Sequence, residues 1–479
     1  MTKVAIVGGG AAGIAMAMQL ERAGYHDFVI LERSAGVGGT WHDNRYPGAA
    51  CDVPSHLYSF SFAPNADWTY RFSRQPEIER YFQRCVDESG LTSHLRLATE
   101  VHGARFEHGA WQLSTSTGDV TADVLVSGTG QLNRPRIPAF PGLEAFAGPA
   151  FHSARWDPQW ASAGKRVVVI GSGASAVQIV PELVKDAQHV TVMQRTPSYV
   201  MPRKDRAYSA VTKWMFRHVP LLLVLYRWLI YWFNEARFSY VYTGSLMAKV
   251  ARWMAMHHLK KQVADPQLRA VLTPDYPIGC KRVLFSDDWY PALQRDNCSL
   301  VTTAIERIVP EGVITTDGTL HHADALVFAT GFETTSFLAP MQIVGQDGVS
   351  LTEAWRDGAE AHRGMLVSGF PNLFLLYGPN TNLGHNSILF MIECQVRYVI
   401  RCLDELARRG ARWIDVKRDA MARSNDELQQ ALARTAWAAD CSSWYKTAGG
   451  RITNNWSGRT AAYWRATRRP DFDELQLGS

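Results

Sequence analysis

KVAIVGGGAAGIAMAMQL, residues 3–20, is the stretch whose reading decides the fold. Lys3 and the apolar run behind it look at first like a secretory leader. The glycines inside the run, Gly8, Gly9, Gly10 and Gly13, suit instead a strand, a tight turn and the start of a helix that runs to Ala23. A second apolar run, Phe28–Leu31, follows and ends in Glu32. The same device returns further along. Arg166–Ile170 leads into Gly171, Gly173 and Ala176, a helical stretch to Lys185, and a strand over 189–193 that ends near Arg195. Glu32 and Arg195 stand at the same offset, 24 residues beyond the first glycine of their own copy.

The spacing has a physical reason. The first glycine permits a tight turn, the second lets backbone approach a pyrophosphate, and the third small residue lets the helix pack closely on the strand. The helix start presents free N–H groups and a positive dipole end to phosphate. A glycine turn alone is a weak signal. Two copies, each between a strand and a helix and each with a polar reader at the next strand's end, are a strong one. Glu32 accepts hydrogen bonds from ribose hydroxyls and repels a 2′-phosphate, whereas Arg195 offers a planar fork to that phosphate. The first copy is therefore expected to hold an unphosphorylated dinucleotide and the second NADPH.

Working outward, ADVLVSGTG (122–130) and ADALVFATG (323–331) echo each other as apolar strands ending in Thr-Gly. A proline-rich linker spans 133–142, a further strand 372–378, and an amphipathic helix 388–409 that stops at Gly410. Residues 204–274 are helical in pattern and rich in Trp, Tyr and Leu, and they interrupt the second copy. The expected architecture is α/β: two interleaved doubly wound, Rossmann-like dinucleotide-binding domains with a helical insertion. Residues 1–148 and 333–479 form one domain, 149–203 and 275–332 the other, and 204–274 the insertion. Within the insertion, VPLLLVLYRWLIYWF (219–233) contains Arg227 and has 15 residues, short of the roughly 20 that a spanning helix needs. It reads as a buried or interfacial helix. The aromatic stripe Trp214, Tyr226, Trp228, Tyr231 and Trp232 is expected to serve helix packing rather than to wall a pocket.

Composition narrows the function. With 479 residues, 46% hydrophobic and 20% charged, the chain has material for about three domains and is neither a disordered tail nor a fibre nor a disulfide-stapled mini-protein. Fifty basic against 45 acidic residues give a net charge of +5, scattered without long runs, which speaks against nucleic acid. Seven cysteines with no CxxC pair and an odd count point to a reducing cytoplasm, and away from a dithiol redox centre, a zinc ribbon or any metal site. The chain reads as cytoplasmic, without a transmembrane segment, and with one greasy surface able to touch a membrane weakly.

Further motifs carry a family resemblance. Gly36-Val37-Gly38-Gly39-Thr40-Trp41, then Asn44-Arg45-Tyr46-Pro47-Gly48 and Cys51-Asp52, resemble the FAD region of class B flavoprotein monooxygenases. Phe146, Gly148, His152, Trp156 and Asp157 match every fixed position of the type I Baeyer–Villiger fingerprint FxGxxxHxxxW[P/D]. Gln194-Arg195-Thr196-Pro197, Gly279-Cys280-Lys281-Arg282, Ala329-Thr330-Gly331-Phe332 and Ser443-Trp444-Tyr445 are similar to that pattern too. The resemblance implies that Gly8, Gly10, Ala12, Gly13, Glu32, Gly39, Thr40, Trp41, Asp52 and Tyr58 line FAD, with Val101 meeting the adenine through its backbone. It implies that Gly171, Gly173, Ala176, Arg195, Thr196 and Lys281 hold NADPH, and that Trp444 rides a mobile loop over the nicotinamide ribose. Ala50, where several relatives have arginine, and Glu333, in place of a common Asp, are departures.

The chemistry so implied is oxygenation of a ketone by O2 to an ester or lactone, through a C4a-peroxyflavin formed after NADPH reduces FAD. Arg282 would stabilise developing negative charge, and Asp52 would orient it. On spacing alone, Asp52 and Arg282 would be a structural ion pair; only the resemblance makes them catalytic. His152 reads as a domain-joining residue, and nothing physical selects His385 or Asn386 as facing the flavin. Two other readings stay open: a flavin monooxygenase acting on sulfur or nitrogen, and a non-catalytic flavin-binding or redox-sensing module. A disulfide reductase is excluded by the missing CxxC. The apolar insertion favours hydrophobic ketones, acyclic or bulky.

Overall fold

The computed structural model describes residues 2–478, so residues 1 and 479 of the expected domain bounds lie outside the described residues. Two five-stranded parallel sheets carry the architecture. The first runs in the spatial order Leu373–Leu375, Val124–Ser127, Val4–Val7, Phe28–Leu31, Leu95–Arg96. The second runs Cys298–Val301, His189–Met193, Arg166–Ile170, Ala325–Phe328, Ala150–His152. The inner strands are short runs of Val, Ile, Leu and Ala because helices cover both faces and leave no face for polar residues.

The helix Ala11–Arg22 follows the first glycine turn and packs on the long helix Ile388–Arg409. Ile14, Met18 and Leu20 share one core with Val396, Val399 and Leu403. The long helix ends where expected, at Gly410 with φ +63°, a left-handed cap that glycine adopts without strain. In the second fold the helix Ala176–Leu183 packs its Val177, Ile179 and Val180 on Val167 and Val169. A smaller sheet, built from Val101–Glu107, Ala110–Thr115, Val120–Ala122 and Gln342–Val344, buries Trp111 and Leu113 against the first.

The insertion is helical, as expected: Ala210–His218, Pro220–Ala236, Leu246–Gln262 and Pro266–Val271. The reading of its aromatic stripe needs correction. Tyr226 and Tyr231 do turn inward, to the hydroxyls of Tyr208 (3.2 Å) and Thr460 (2.9 Å). Trp214, Trp228 and Trp232 are exposed and pack no core. Helical spacing locates a face but cannot say which way it turns when the opposite face carries buried polar anchors.

The cysteine reading is also corrected. Cys280 and Cys441, 161 residues apart, form a disulfide that ties the Gly279–Arg282 segment to the C-terminal loop. A search for CxxC cannot see a pair that only the fold brings together. Cys51, Cys85, Cys298, Cys394 and Cys402 are free.

Candidate functional site

Each glycine turn is built around a close approach. Gly8 has φ +107°, and a Cβ there would sit 2.8 Å from the Gly128 carbonyl oxygen. Gly171 repeats this with φ +115° and the Ala329 carbonyl at 2.4 Å. This explains the Thr-Gly echo, because Gly128 and Ala329 occupy the same place beside the two turns. At the third position, a Cβ on Gly13 would lie 1.9 Å from the Gly8 oxygen. The second fold accommodates the methyl of Ala176, which is fully buried there.

The first cradle continues from these glycines. Gly10 and Gly39 meet backbone to backbone; a Cβ on Gly39 would come within 3.0 Å of the Gly10 Cα. The helix behind Gly10 starts with no side-chain cap, so its first N–H groups, Ala12 among them, point at a position suited to phosphate. Glu32 is buried and its carboxylate accepts from the Gly9 N–H (2.6 Å) and the Ser34 N–H (2.7 Å), which fixes it at the strand's end. Thr40 opens the short helix Thr40–Asp43. Trp41 Nε1 donates to the Tyr58 hydroxyl (2.9 Å), and burial raises the Tyr58 pKa. Val101, buried, begins the strand that follows Thr99, whose N–H donates to the Glu32 carbonyl (2.8 Å). These residues fit a dinucleotide: an uncapped helix start, a side-chain-free approach and an oriented carboxylate.

The second cradle fits a phosphorylated one. The helix start at Ser175 is likewise uncapped, and a Cβ on Gly173 would touch nothing within 4 Å. Ser172 Oγ donates to the Thr196 carbonyl (3.1 Å), placing Thr196 beside the turn. Arg195 is exposed and makes no ion pair among the described residues. The Lys281 pKa is lowered, first by burial and then by the Arg195 charge. Asp275 lies near Lys281, yet neither cation makes an ion pair among the described residues, and two neighbouring cations suit a phosphate.

Between the cradles lies the pair the resemblance singled out. Arg282 Nε and Nη2 both donate to Asp52 Oδ2, at 3.1 and 2.5 Å. About a third of each side chain stays accessible, 33% and 30%, so the pair lines a cleft rather than a sealed core. The Asp52 charge raises the Arg282 pKa, and the guanidinium stays cationic.

Several residues here carried no sequence signal. Gln178, on the second fold's helix, accepts from the Tyr46 hydroxyl (3.0 Å) and the Ala50 N–H (3.4 Å) and donates to the Ala50 carbonyl (3.0 Å). It clasps the two folds next to Asp52. Arg203 donates to the Cys51 carbonyl (2.9 Å), a second cation behind Asp52. Tyr240, Tyr377 and Tyr445 surround Arg282; burial pushes the Tyr240 hydroxyl up to about 12 while the Arg282 charge pulls it down. Only the Ser443-Trp444-Tyr445 motif pointed toward this neighbourhood, and it names no tyrosine on the insertion.

Trp444 lies on the loop after the disulfide, tilted against Tyr445 with ring centroids 4.3 Å apart, and its carbonyl accepts from Thr334 Oγ1 (2.7 Å). His152 joins segments as read: its ring nitrogens meet the Gly331 carbonyl (2.9 Å) and the Ala154 N–H (3.1 Å). His385 and Asn386 turn to Glu235 of the insertion, at 3.3 and 3.0 Å.

This arrangement has known counterparts. Residues 5–218 match the family pattern described as pyridine nucleotide-disulphide oxidoreductase. A Streptomyces coelicolor protein named Baeyer-Villiger monooxygenase is 44% identical over 99% of this chain and 92% of its own length. A crystal structure of an OTEMO complex with FAD and NADP covers 100% of this chain and 99% of its own, with TM-score 0.90 and 27% identity. An oxidized steroid monooxygenase bound to NADP matches over the same shares with TM-score 0.90 and 29% identity.

Proposed function

The chain belongs to the Baeyer–Villiger monooxygenase family, and from that premise we propose which of its residues do the work and on what kind of ketone. It is an FAD- and NADPH-dependent monooxygenase that acts on a small molecule with O2. We assign FAD to the cradle of Gly8, Gly10, Ala12, Gly13, Glu32, Gly39, Thr40, Trp41 and Tyr58, with Val101 at the adenine and Asp52 at the flavin. NADPH belongs with Gly171, Gly173, Ala176, Thr196 and the cation pair Arg195 and Lys281, under the loop of Trp444. In the same reading, residues 1–148 with 333–479 bind FAD and 149–203 with 275–332 bind NADPH. The two sheets support this by drawing their strands from those segments.

FAD, when bound and reduced, would supply the activation of O2. Arg282 holds a permanent positive charge where negative charge builds on oxygen as the ketone carbonyl is attacked. A preorganised charge in a water-poor cleft stabilises that change without reorganising. Asp52 is the positioning residue: its single oxygen takes two guanidinium N–H groups and sets the fork's plane. Tyr240, Tyr377 and Tyr445 stand around it, and burial raises their pKa values so that they stay protonated. The observation that carries the proposal is this ion pair at the junction of two nucleotide cradles of opposite charge.

The insertion brings Tyr240 beside Arg282, and its Phe238 and Val241 share an apolar cluster with Tyr445. The substrate is therefore a hydrophobic ketone, acyclic or bulky, and the product its ester or lactone. The test is NADPH consumption over a panel of ketones with product identification. Long-chain and bulky ketones should give ester faster than small polar ones, and the reverse order overturns the assignment.

A further inference from the structure

The insertion helix Pro220–Ala236 is built inside out. Its inward face carries the polar groups. Arg227 Nη1 donates to the His56 and Ser59 carbonyls at 2.7 and 2.8 Å. Glu235, buried, accepts from Asn386 Nδ2 (3.0 Å), Thr460 Oγ1 (2.7 Å) and the Ala461 N–H (3.1 Å). Its outward face is a continuous apolar stripe at helical spacing: Leu221, Val224, Leu225, Trp228, Leu229, Trp232 and Phe233, all exposed, from 43% to 76%. The stripe is about 18 Å long at 1.5 Å per residue. A surface helix normally turns such a stripe to the core, and here the polar anchors prevent it from rolling over. Trp214 on the preceding helix, and Leu246, Val250, Trp253 and Met254 on the helix Leu246–Gln262, add exposed apolar groups.

The charge of this region is one-sided. From residue 206 to 264 the sole acidic residue is Glu235, and it is buried. Arg217, Lys249, Arg252, Lys260 and Lys261 are exposed. Arg217 pairs with Asp67 (2.5 Å), and the other four make no ion pair among the described residues. We propose that this face docks on an anionic phospholipid bilayer, with the stripe of the Pro220–Ala236 helix lying in the interface and Lys249, Arg252, Lys260 and Lys261 reaching headgroups. Tryptophans flanked by cations suit the lipid–water boundary, and an apolar stripe with basic flanks is the pattern of a helix that lies on a membrane. Among the described residues no helix is long and apolar enough to cross one. A second copy fits less well, because a symmetric contact would set these unpaired cations against themselves. The proposal rests on the surface alone and not on the catalytic assignment.

The test is sedimentation of the FAD-loaded full chain with vesicles of phosphatidylglycerol in phosphatidylcholine, beside pure phosphatidylcholine vesicles. Binding to the anionic vesicles should be at least about tenfold tighter and should weaken with salt. The double variant Leu225→Glu/Trp228→Glu should bind at least about tenfold more weakly. Lys249→Glu and Arg252→Glu should each cost about fivefold, with NADPH oxidation in the absence of ketone unchanged. Brominated lipid chains should quench part of the tryptophan fluorescence of the unaltered protein, a readout that stands even where a variant fails to fold. Failure to bind anionic vesicles overturns the proposal. So does binding that ignores these substitutions, or a dimer that the double variant abolishes while vesicles are left unbound.

Discussion

The two nucleotide folds begin alike and diverge at their third small residue and at their reader. In the first, Gly13 and Gly128 leave no room for a methyl, and Glu32 is pinned by two backbone N–H groups inside the protein. In the second, alanines stand at both places, and the proposed readers Arg195 and Lys281 make no ion pair among the described residues, with Asp275 the acidic neighbour of Lys281. The difference suits a cofactor retained through turnover against one that arrives carrying an extra phosphate. Tight packing and an oriented carboxylate favour permanence, while exposed cations favour recognition on arrival. Asp52 and Arg282 come one from each of the two proposed domains, so the ion pair we propose as catalytic exists only where the folds meet.

The largest way to break this comparison is at that meeting point. Arg282→Ala removes the charge but leaves both cradles. Ester formation should fall by about a hundred- to a thousandfold, the usual effect of losing one preorganised donor. FAD should stay bound, NADPH should still reduce it, and the NADPH consumed should appear as hydrogen peroxide. Asp52→Ala should show a milder form of the same defect. Stopped-flow reduction paired with product analysis reads both, and near-normal ester formation by Arg282→Ala would reduce the pair to a structural role.

Next in size are the readers of the second cradle. Arg195→Ala or Lys281→Ala removes one charge-assisted hydrogen bond, worth about 1.5–3 kcal/mol. NADPH affinity should drop by roughly ten- to a hundredfold while NADH affinity changes little. Titration with both nucleotides decides, since equal losses would mean these side chains do not read the phosphate.

The packing contrast sharpens with a reciprocal exchange. Gly13→Ala drives a methyl into the Gly8 carbonyl, an overpacking that costs about 1–3 kcal/mol. It should release FAD and lower the melting temperature. Ala176→Gly relieves nothing and should cost about 1 kcal/mol at most. Thermal unfolding with flavin fluorescence separates the two. The smallest expected effect belongs to Gln178→Ala, which unclasps Tyr46 and Ala50. Losing hydrogen bonds of about 1 kcal/mol each should slow ester formation by a few-fold and leave both cofactor affinities in place, as steady-state rates at saturating NADPH would show.

Much of this molecule could be read from local pattern, because local pattern is where its physics lies. A strand, a glycine turn and a helix start are contiguous, so Gly8–Gly13 and Gly171–Ala176 announced two parallel sheets, and Gly410 announced a helix end. Glu32 and Arg195 announced the charge of each cradle because a reader's place follows from the length of one strand–helix–strand unit. The roles of Asp52, Arg282 and Trp444 came only by resemblance, since no spacing joins residues 230 positions apart.

What the sequence by itself determined was the two-cradle α/β plan, the sign of charge in each cradle and, through its motifs, the reaction. The tertiary structure alone decided the Gln178 clasp, the tyrosines around Arg282, the Cys280–Cys441 tie and the direction in which the insertion turns its tryptophans. Each of these depends on groups brought together from distant parts of the chain. For the tryptophans the deciding groups are Arg227 and Glu235: burying a charge is costly unless it is paired, and their partners sit in the protein. The helix therefore faces them inward, and its apolar stripe is left outside.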